Sequence, residues 1–242
     1  MSAGESFGSS LHNTLRKFGL LEMTHQRPKE KGQLVLFTED HHHAIPELSV
    51  TTLLSLWRES FIAEGYESKK TMLLKFAEGE DALKKFHTWW AKEQREVVAI
   101  EKGFTLDIES GITLSGRFDR VERTPKGLRI IDFKSTAPRT EAALRDDLQL
   151  SLYARAALSI WGEPIESLTI LSVRNDGVTE QRTTRSEADI TAALKTVRET
   201  ANHIGKEEFT ATPSPHVCAL CPFRGICGFK ASTPTSEGAS AG

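Results

Sequence analysis

Only three cysteines occur in the 242 residues, and all of them fall between positions 218 and 227. So few thiols, odd in number and clustered, exclude a disulfide-stapled fold and point to a metal or cluster site. No apolar run approaches the ~20 residues that cross a bilayer. No charged-then-apolar leader opens the chain, because residues 1–10 are small and polar; the chain is expected to be cytoplasmic and off the membrane. Strong net charge is missing too, at a formal −2. That excludes a global basic field for nucleic acid, so such a site is local or meets phosphate through metal ions. There is no internal repeat and no Walker-type phosphate loop. What is present is 38% hydrophobic residues, enough core for one domain with appendages or two small ones.

Along the chain, Phe7, Leu11, Leu15 and Phe18 fall on one stripe at helical spacing. Residues 22–48 read as polar and irregular, with a histidine triplet at 41–43 that is a solvated loop or a transition-metal ligand set. Helices are predicted at about 49–63 and 69–94, with Trp57, Phe61, Phe86, Trp89 and Trp90 as core. The pattern then turns to strands. "KGFTLDIES", "ITLSGRFDRVE" and "GLRIIDFKS" are joined by short turns and predict an antiparallel meander. A single helix is predicted over about 141–161, then two strands joined at "NDG". Ser186 with Asp189 resembles a capping box that opens a helix to about Lys206.

The third strand carries Asp132 and Lys134 among apolar residues. Alternation puts both on one face with Leu128 and Ile130, and burying an unpaired charge is costly. Asp119, in the second strand, can lie beside Asp132. Two carboxylates in a core repel unless a cation neutralises them. A hard divalent ion such as Mg²⁺ or Mn²⁺ suits oxygen ligands, and with Lys134 would make a site for metal-assisted phosphodiester hydrolysis. A buried Asp–Lys salt bridge, or an edge strand with its charges in water, explains the spacing equally well. Gln149 and Tyr153, four apart on the next helix, share a face and add polar groups that could hold a phosphate or a water, or be a solvated Gln and a packed Tyr.

Taken in order, "GRFDRVE", "IIDFKS" and "QLSLY" resemble the motifs of the PD-(D/E)XK nuclease superfamily, in its RecB-like branch. "FGSSLHNTL" is similar to that branch's Gly-x-x-x-His helix, and "AIEKGFTL" to the segment before its meander. The resemblance runs from about residue 7 to 230 and is nearest to the C-terminal nuclease domain of UvrD/RecB-type helicases. It implies an α/β restriction-endonuclease-like core, a mixed sheet with an antiparallel meander flanked by helices, plus a helical insertion. One domain is expected over 1–230: insertion at about 20–98, core at about 99–206, cysteine segment at 207–230. A disordered tail follows at 231–242. By resemblance, His12, Asp119, Asp132 and the Phe133 carbonyl bind Mg²⁺ or Mn²⁺. Lys134 orients the water, and Gln149 and Tyr153 support the site and contact nucleic acid. Glu101 is a weaker metal candidate, better read as a solvated carboxylate. The implied activity is a DNA nuclease, exo- or endo-acting on single strands or duplex ends. It would work in repair or recombination, alone or with a helicase subunit. An inactive nucleic-acid-binding or scaffolding module of the same fold is the alternative.

"CALCPFRGIC" spaces Cys218, Cys221 and Cys227 as Cys-x2-Cys-x5-Cys, which suits zinc or an iron–sulfur cluster. The spacing resembles the C-terminal trio of iron–sulfur RecB-like nucleases, AddB-type proteins and CRISPR-adaptation nucleases among them. Those carry a fourth cysteine upstream of the His-containing helix, and residues 1–6 here hold none. For a 4Fe-4S cluster the missing ligand would lie in an absent upstream segment or on a partner; otherwise His216 completes a Cys3His zinc site. A small zinc-binding interaction protein would account for residues 216–227 alone. Arg117, Arg120, Arg123, Lys126 and Arg129 cluster in the meander, where Arg117 and Arg120 are candidates to contact DNA phosphates or lie on a solvated face. "RTEAALRDD", from Arg139, lies beside the site and could gate it.

Overall fold

Leu11, Leu15 and Phe18 recur at helical spacing and bury one stripe, which makes α1 (Ala3–Gln26). In the computed structural model, which describes residues 1–26, 45–109 and 111–229, α1 starts before Phe7. It also continues past residue 20, the expected border of a helical insertion. The histidine triplet at 41–43 and the tail at 231–242 lie outside the described residues. α2 (Val50–Ser60) and α3 (Lys69–Trp90) begin at Ser49 and Ser68, whose hydroxyls accept the N–H of Thr52 and Thr71. Among the described residues no helix is long and apolar enough to cross a membrane.

The coordinates divide into two compact units, Met1–Lys195 and Thr196–Gly242. The first holds a five-stranded sheet: β1 (Glu96–Glu109), β2 (Ile112–Thr124), β3 (Gly127–Lys134), β4 (Ile165–Arg174) and β5 (Gly177–Thr183). The strands lie side by side in chain order. β1, β2 and β3 form the antiparallel meander that the sequence predicts, β4 runs parallel to β3, and β5 returns antiparallel. β1 begins at Glu96, earlier than the "KGFTLDIES" run suggests.

The parallel β3–β4 step needs a crossover. It is made by two helices, α4 (Glu141–Arg145) and α5 (Leu148–Trp161), where the sequence predicts one. The break is chemical. Asp147 leaves the helical path and accepts the Leu150 N–H at 2.8 Å, and Arg185 donates to the carbonyls of Leu144 and Asp147 at 2.9 and 3.2 Å. The same stretch is fastened at its start. Gln181 accepts the Arg139 N–H and donates to the Arg139 carbonyl, both at 2.8 Å, and Arg139 pairs with Asp147. A gate that swings at Arg139–Asp147 would have to break all of these contacts.

One core lies between the sheet and α5, containing Leu128, Ile130, Leu150, Ala154, Ala157, Leu168 and Ile170. The other lies under α1, α2 and α3, containing Leu11, Leu15, Phe18, Trp57, Phe86, Ile131, Phe133 and Leu171. Trp57 and Phe86 are buried, with Phe61, Trp89 and Trp90 packed on them, as the sequence predicts. β3 is therefore covered on both faces, which is why it reads as a near-continuous apolar run. α6 (Glu187–Gly205) opens with the reciprocal Ser186–Asp189 capping bonds. The second unit contains the later part of α6 and α7 (Pro215–Leu220), capped by Ser214.

Gly79 sits where α3 crosses Trp57. A Cβ there would stand 2.1 Å from Trp57 Cζ2, and Trp57 is wholly buried. Gly→Ala inside a helix normally stabilises by about 1 kcal/mol. Here overpacking at about 1–3 kcal/mol opposes that gain. Gly79→Ala is expected to lower Tm, at roughly 2–4 °C per kcal/mol for a chain of this size. A thermal melt with Tm unchanged or raised would contradict the close packing.

Candidate active site

The site begins where β2 parts from β3. Paired residues run from Thr124–Gly127 to Arg120–Ile131 and stop there, while β2 continues along β1. The next N–H on that edge of β3 belongs to Phe133. The Asp119 carboxylate accepts it through Oδ2 at 2.8 Å, a side chain standing in for the missing strand partner. The same Oδ2 lies 3.5 Å from His12 Nδ1 on α1. His12 follows buried Leu11 and stands at the border of the packed stripe, edge-on to the Phe133 ring at 6.3 Å. Burial of the imidazole works against its charged form. The carboxylate of Asp119, with that of Asp132, outweighs this and holds the pKa above the ordinary histidine value.

Glu101 completes a cluster. Single ligand atoms from His12, Glu101 and Asp119 all lie within 4.8 Å of one another. The pairs Ile100–Arg120 and Lys102–Phe118 bracket Glu101, so it stands across from Asp119. Its backbone has φ +50°, a left-handed conformation that is rare for such a side chain within a strand and that re-aims it locally. Sequence reasoning ranks Glu101 as a solvated carboxylate, since nothing in "AIEKGFT" announces a positive φ. The structure brings it into the tightest acidic group instead.

Asp132 and Lys134 follow Leu128 and Ile130 on the α5 side of β3. Asp132 is 2% exposed. Lys134 Nζ lies 2.7 Å from Asp132 Oδ2, a close ion pair at the end of the strand. Burial raises the Asp132 pKa; Lys134 counters part of the rise and Asp119 adds to it. A buried carboxylate beside a His–Glu–Asp group fits a hard divalent cation by donor chemistry. His12, Glu101 and Asp119 would hold it, with Asp132 adjacent.

Tyr153 and Gln149 divide in role. Tyr153 is buried and donates its hydroxyl to the Arg117 carbonyl at 2.6 Å, while accepting from Gln149 Nε2 at 2.9 Å. Burial first, then the nearby Asp132 and Asp119 charges, pushes the phenol well above its ordinary pKa. Tyr153 thus braces β2 from behind as a neutral donor, and its hydroxyl is already engaged by protein groups. Gln149 is exposed. Gly116, the first residue of the Gly-x-x-Asp motif, has a packing reason. Phe104 on β1 lies over it, so that a Cβ would stand 2.3 Å from Phe104 Cζ. Phe104 in turn meets Phe118 at 4.8 Å and Tyr153 at 5.9 Å.

The meander's basic residues do not form one phosphate-tracking row. Arg120 is buried, donating to Glu22 on α1 at 2.7 Å and to Glu122 at 2.6 Å; the expectation that it contacts DNA is corrected. Arg129 is buried against Glu122 and Glu180. Arg123 pairs with Glu96 and Glu163. Arg117 and Lys126 are the exposed ones. In the second unit, Cys218 is buried, and Cys221 and Cys227 are half-buried. Among the described residues the His12–Glu101–Asp119 set is the one group of three or more ligand atoms close enough for an ion.

The family of the chain is shown by its sequence profile. The profile of the PD-(D/E)XK nuclease superfamily matches residues 1–228. No curated protein matches the sequence. Among solved structures, SSO0001 is 16% identical with a TM-score of 0.42, over 90% of this chain and 96% of that one. A candidate exonuclease of Eubacterium rectale is 13% identical with a TM-score of 0.47, over 90% of this chain and 83% of that one.

Burial of the Asp132 carboxylate carries a stability cost in the metal-free protein, which the Lys134 pair offsets only in part. With its pKa raised, the fold binds a proton that the unfolded chain releases. Asp132's contribution to stability therefore falls as pH rises from the ordinary carboxylate range through the raised value. Asp132→Asn is expected to raise the Tm of the EDTA-treated protein at neutral pH by roughly 2–4 °C, for about 1 kcal/mol. Lys134, a quarter exposed, can hydrate. Mn²⁺ should raise the wild-type Tm and stabilise Asp132→Asn less. Melts in which Asn lowers the metal-free Tm would contradict this account.

Proposed function

The chain belongs to the PD-(D/E)XK nuclease superfamily, and we propose that it is a Mg²⁺- or Mn²⁺-dependent DNA nuclease of the RecB-like type. The observation that carries this reading is the His12–Glu101–Asp119 group beside a buried Asp132 whose charge partner, Lys134, is 2.7 Å away. A bound divalent cation would supply Lewis-acid stabilisation of charge on the phosphoryl oxygens. The remaining work falls to the chain's own groups.

Lys134 reaches from a strand end toward solvent, with its ammonium steadied by Asp132. There it orients the attacking water and stabilises charge developing on the phosphate. Asp132 and the Phe133 carbonyl provide further oxygen donors next to the ligand group. Asp119 holds both His12 and the Phe133 N–H, tying α1 to the strand that bears Lys134. Gln149, exposed and hydrogen-bonded to Tyr153, meets the substrate at the rim. The sequence motifs support single strands or duplex ends as substrate and a role beside a helicase in repair or recombination.

The test is cleavage of single- and double-stranded DNA in Mg²⁺ or Mn²⁺ by wild type, Asp119→Ala, Asp132→Ala and Lys134→Ala. Wild type is expected to cut in either metal and not in EDTA. Each variant should lose about 100-fold or more in rate. A folded, metal-loaded wild type that cuts neither substrate would overturn the reading, as would a Lys134→Ala variant cutting at the wild-type rate.

A further inference from the structure

Arg117 is an exposed cation in contact with the ligand group. Its side chain is 66% exposed, and its Nη1 lies 3.1 Å from Glu101 Oε2. Its backbone is fixed, because the Arg117 carbonyl accepts the Tyr153 hydroxyl at 2.6 Å. The guanidinium is therefore held at the mouth of the site by its main chain, while its charge is occupied by a single carboxylate. That carboxylate is Glu101, the residue with φ +50° whose oxygen also belongs to the His12–Glu101–Asp119 group.

Glu101 would face both a bound cation and Arg117. A divalent ion held by Glu101 would sit beside the Arg117 charge, and the two cations repel. A DNA phosphate brings the negative charge that lets both remain. We propose that Arg117 is a phosphate-contacting residue, held by Glu101 until a divalent cation occupies the site. Cation and single-stranded DNA then bind cooperatively through this pair. The inference rests on the nuclease reading and adds to it a coupling between cation binding and phosphate binding. By linkage, whatever factor the cation adds to DNA affinity, DNA adds to cation affinity.

The test uses the full chain and reads binding, not cleavage. Ca²⁺ affinity is measured by calorimetry for wild type, Arg117→Ala, Glu101→Gln and the double variant. Affinity for a fluorescent oligothymidylate is measured by anisotropy in EDTA and in Ca²⁺ at matched ionic strength. Arg117→Ala is expected to bind Ca²⁺ about two- to fivefold more tightly, because an exposed competing ion pair has gone. It should bind the oligonucleotide about tenfold more weakly in Ca²⁺, with little loss in EDTA, and with a salt slope smaller by about one. Glu101→Gln should bind DNA more tightly than wild type in EDTA, and the double variant should lose that gain.

Equal Ca²⁺ affinities for wild type and Arg117→Ala would overturn the inference. So would an equal DNA loss in EDTA and Ca²⁺, or a Glu101→Gln gain that survives in the double variant. Wild type that still cuts DNA in Mg²⁺ would then leave the nuclease reading standing. Coupling observed in a chain that cuts nothing would support the inference and sink that reading.

Discussion

β3 has no spare face. Eight residues, Gly127–Lys134, are covered by α5 on one side and by the α1–α3 layer on the other, and this strand must still carry Asp132. A carboxylate in such a place is tolerable only next to a cation. The surroundings are arranged for that. Lys134 lies two residues on, at the strand's end, where its ammonium touches both Asp132 and solvent. β2 peels away just there, and Asp119 fills the gap by accepting the Phe133 N–H. His12 and Glu101 approach the same opening from α1 and β1. The departure of one strand from another thus makes room for a site in the middle of a packed sheet.

Two supports hold the opening in shape. From the α5 side, Tyr153 ties its hydroxyl to the Arg117 carbonyl, and Gly116 lets the Phe104 ring close over the strand between them. From the α1 side, Arg120 is buried between Glu22 and Glu122, with Trp90 donating to Glu22 at 3.0 Å. His12 and Glu22 are both on α1; Asp119 and Arg120 are neighbours on β2. The ion pair and the site contact therefore fix the same helix on the same strand. A buried ion pair is weak grounds for stability, but it specifies one seating of α1, because a slipped helix would leave charges unpaired in the interior.

Much of this was legible in the residues. The helical stripe of Leu11, Leu15 and Phe18, the three-strand meander, the hairpin before Gly177 and the Ser186–Asp189 cap all carry local signals, and local physics decides them. The Asp132–Lys134 spacing shows two charges on one face of an apolar strand. Other features are not set by local signals alone. The positive φ of Glu101 is announced by no glycine or asparagine at that position. The break at Asp147 has a local cap on Leu150, but its brace from Arg185 comes from nearly forty residues on. Arg117 and Arg120 look alike in "GRFDR", yet one is solvated and the other is sealed under α1. The cysteine spacing suggests a ligand set, but spacing along a chain does not by itself ensure convergence in space.

The central claim is that His12, Glu101 and Asp119 form a divalent-cation site next to Asp132. The most direct measurement is anomalous X-ray scattering from crystals grown with Mn²⁺. The account predicts a manganese peak in contact with the His12 imidazole and the Glu101 and Asp119 carboxylates, on the side of β2 that opens toward Lys134. A peak elsewhere, or none in a well-ordered site at saturating Mn²⁺, would contradict it.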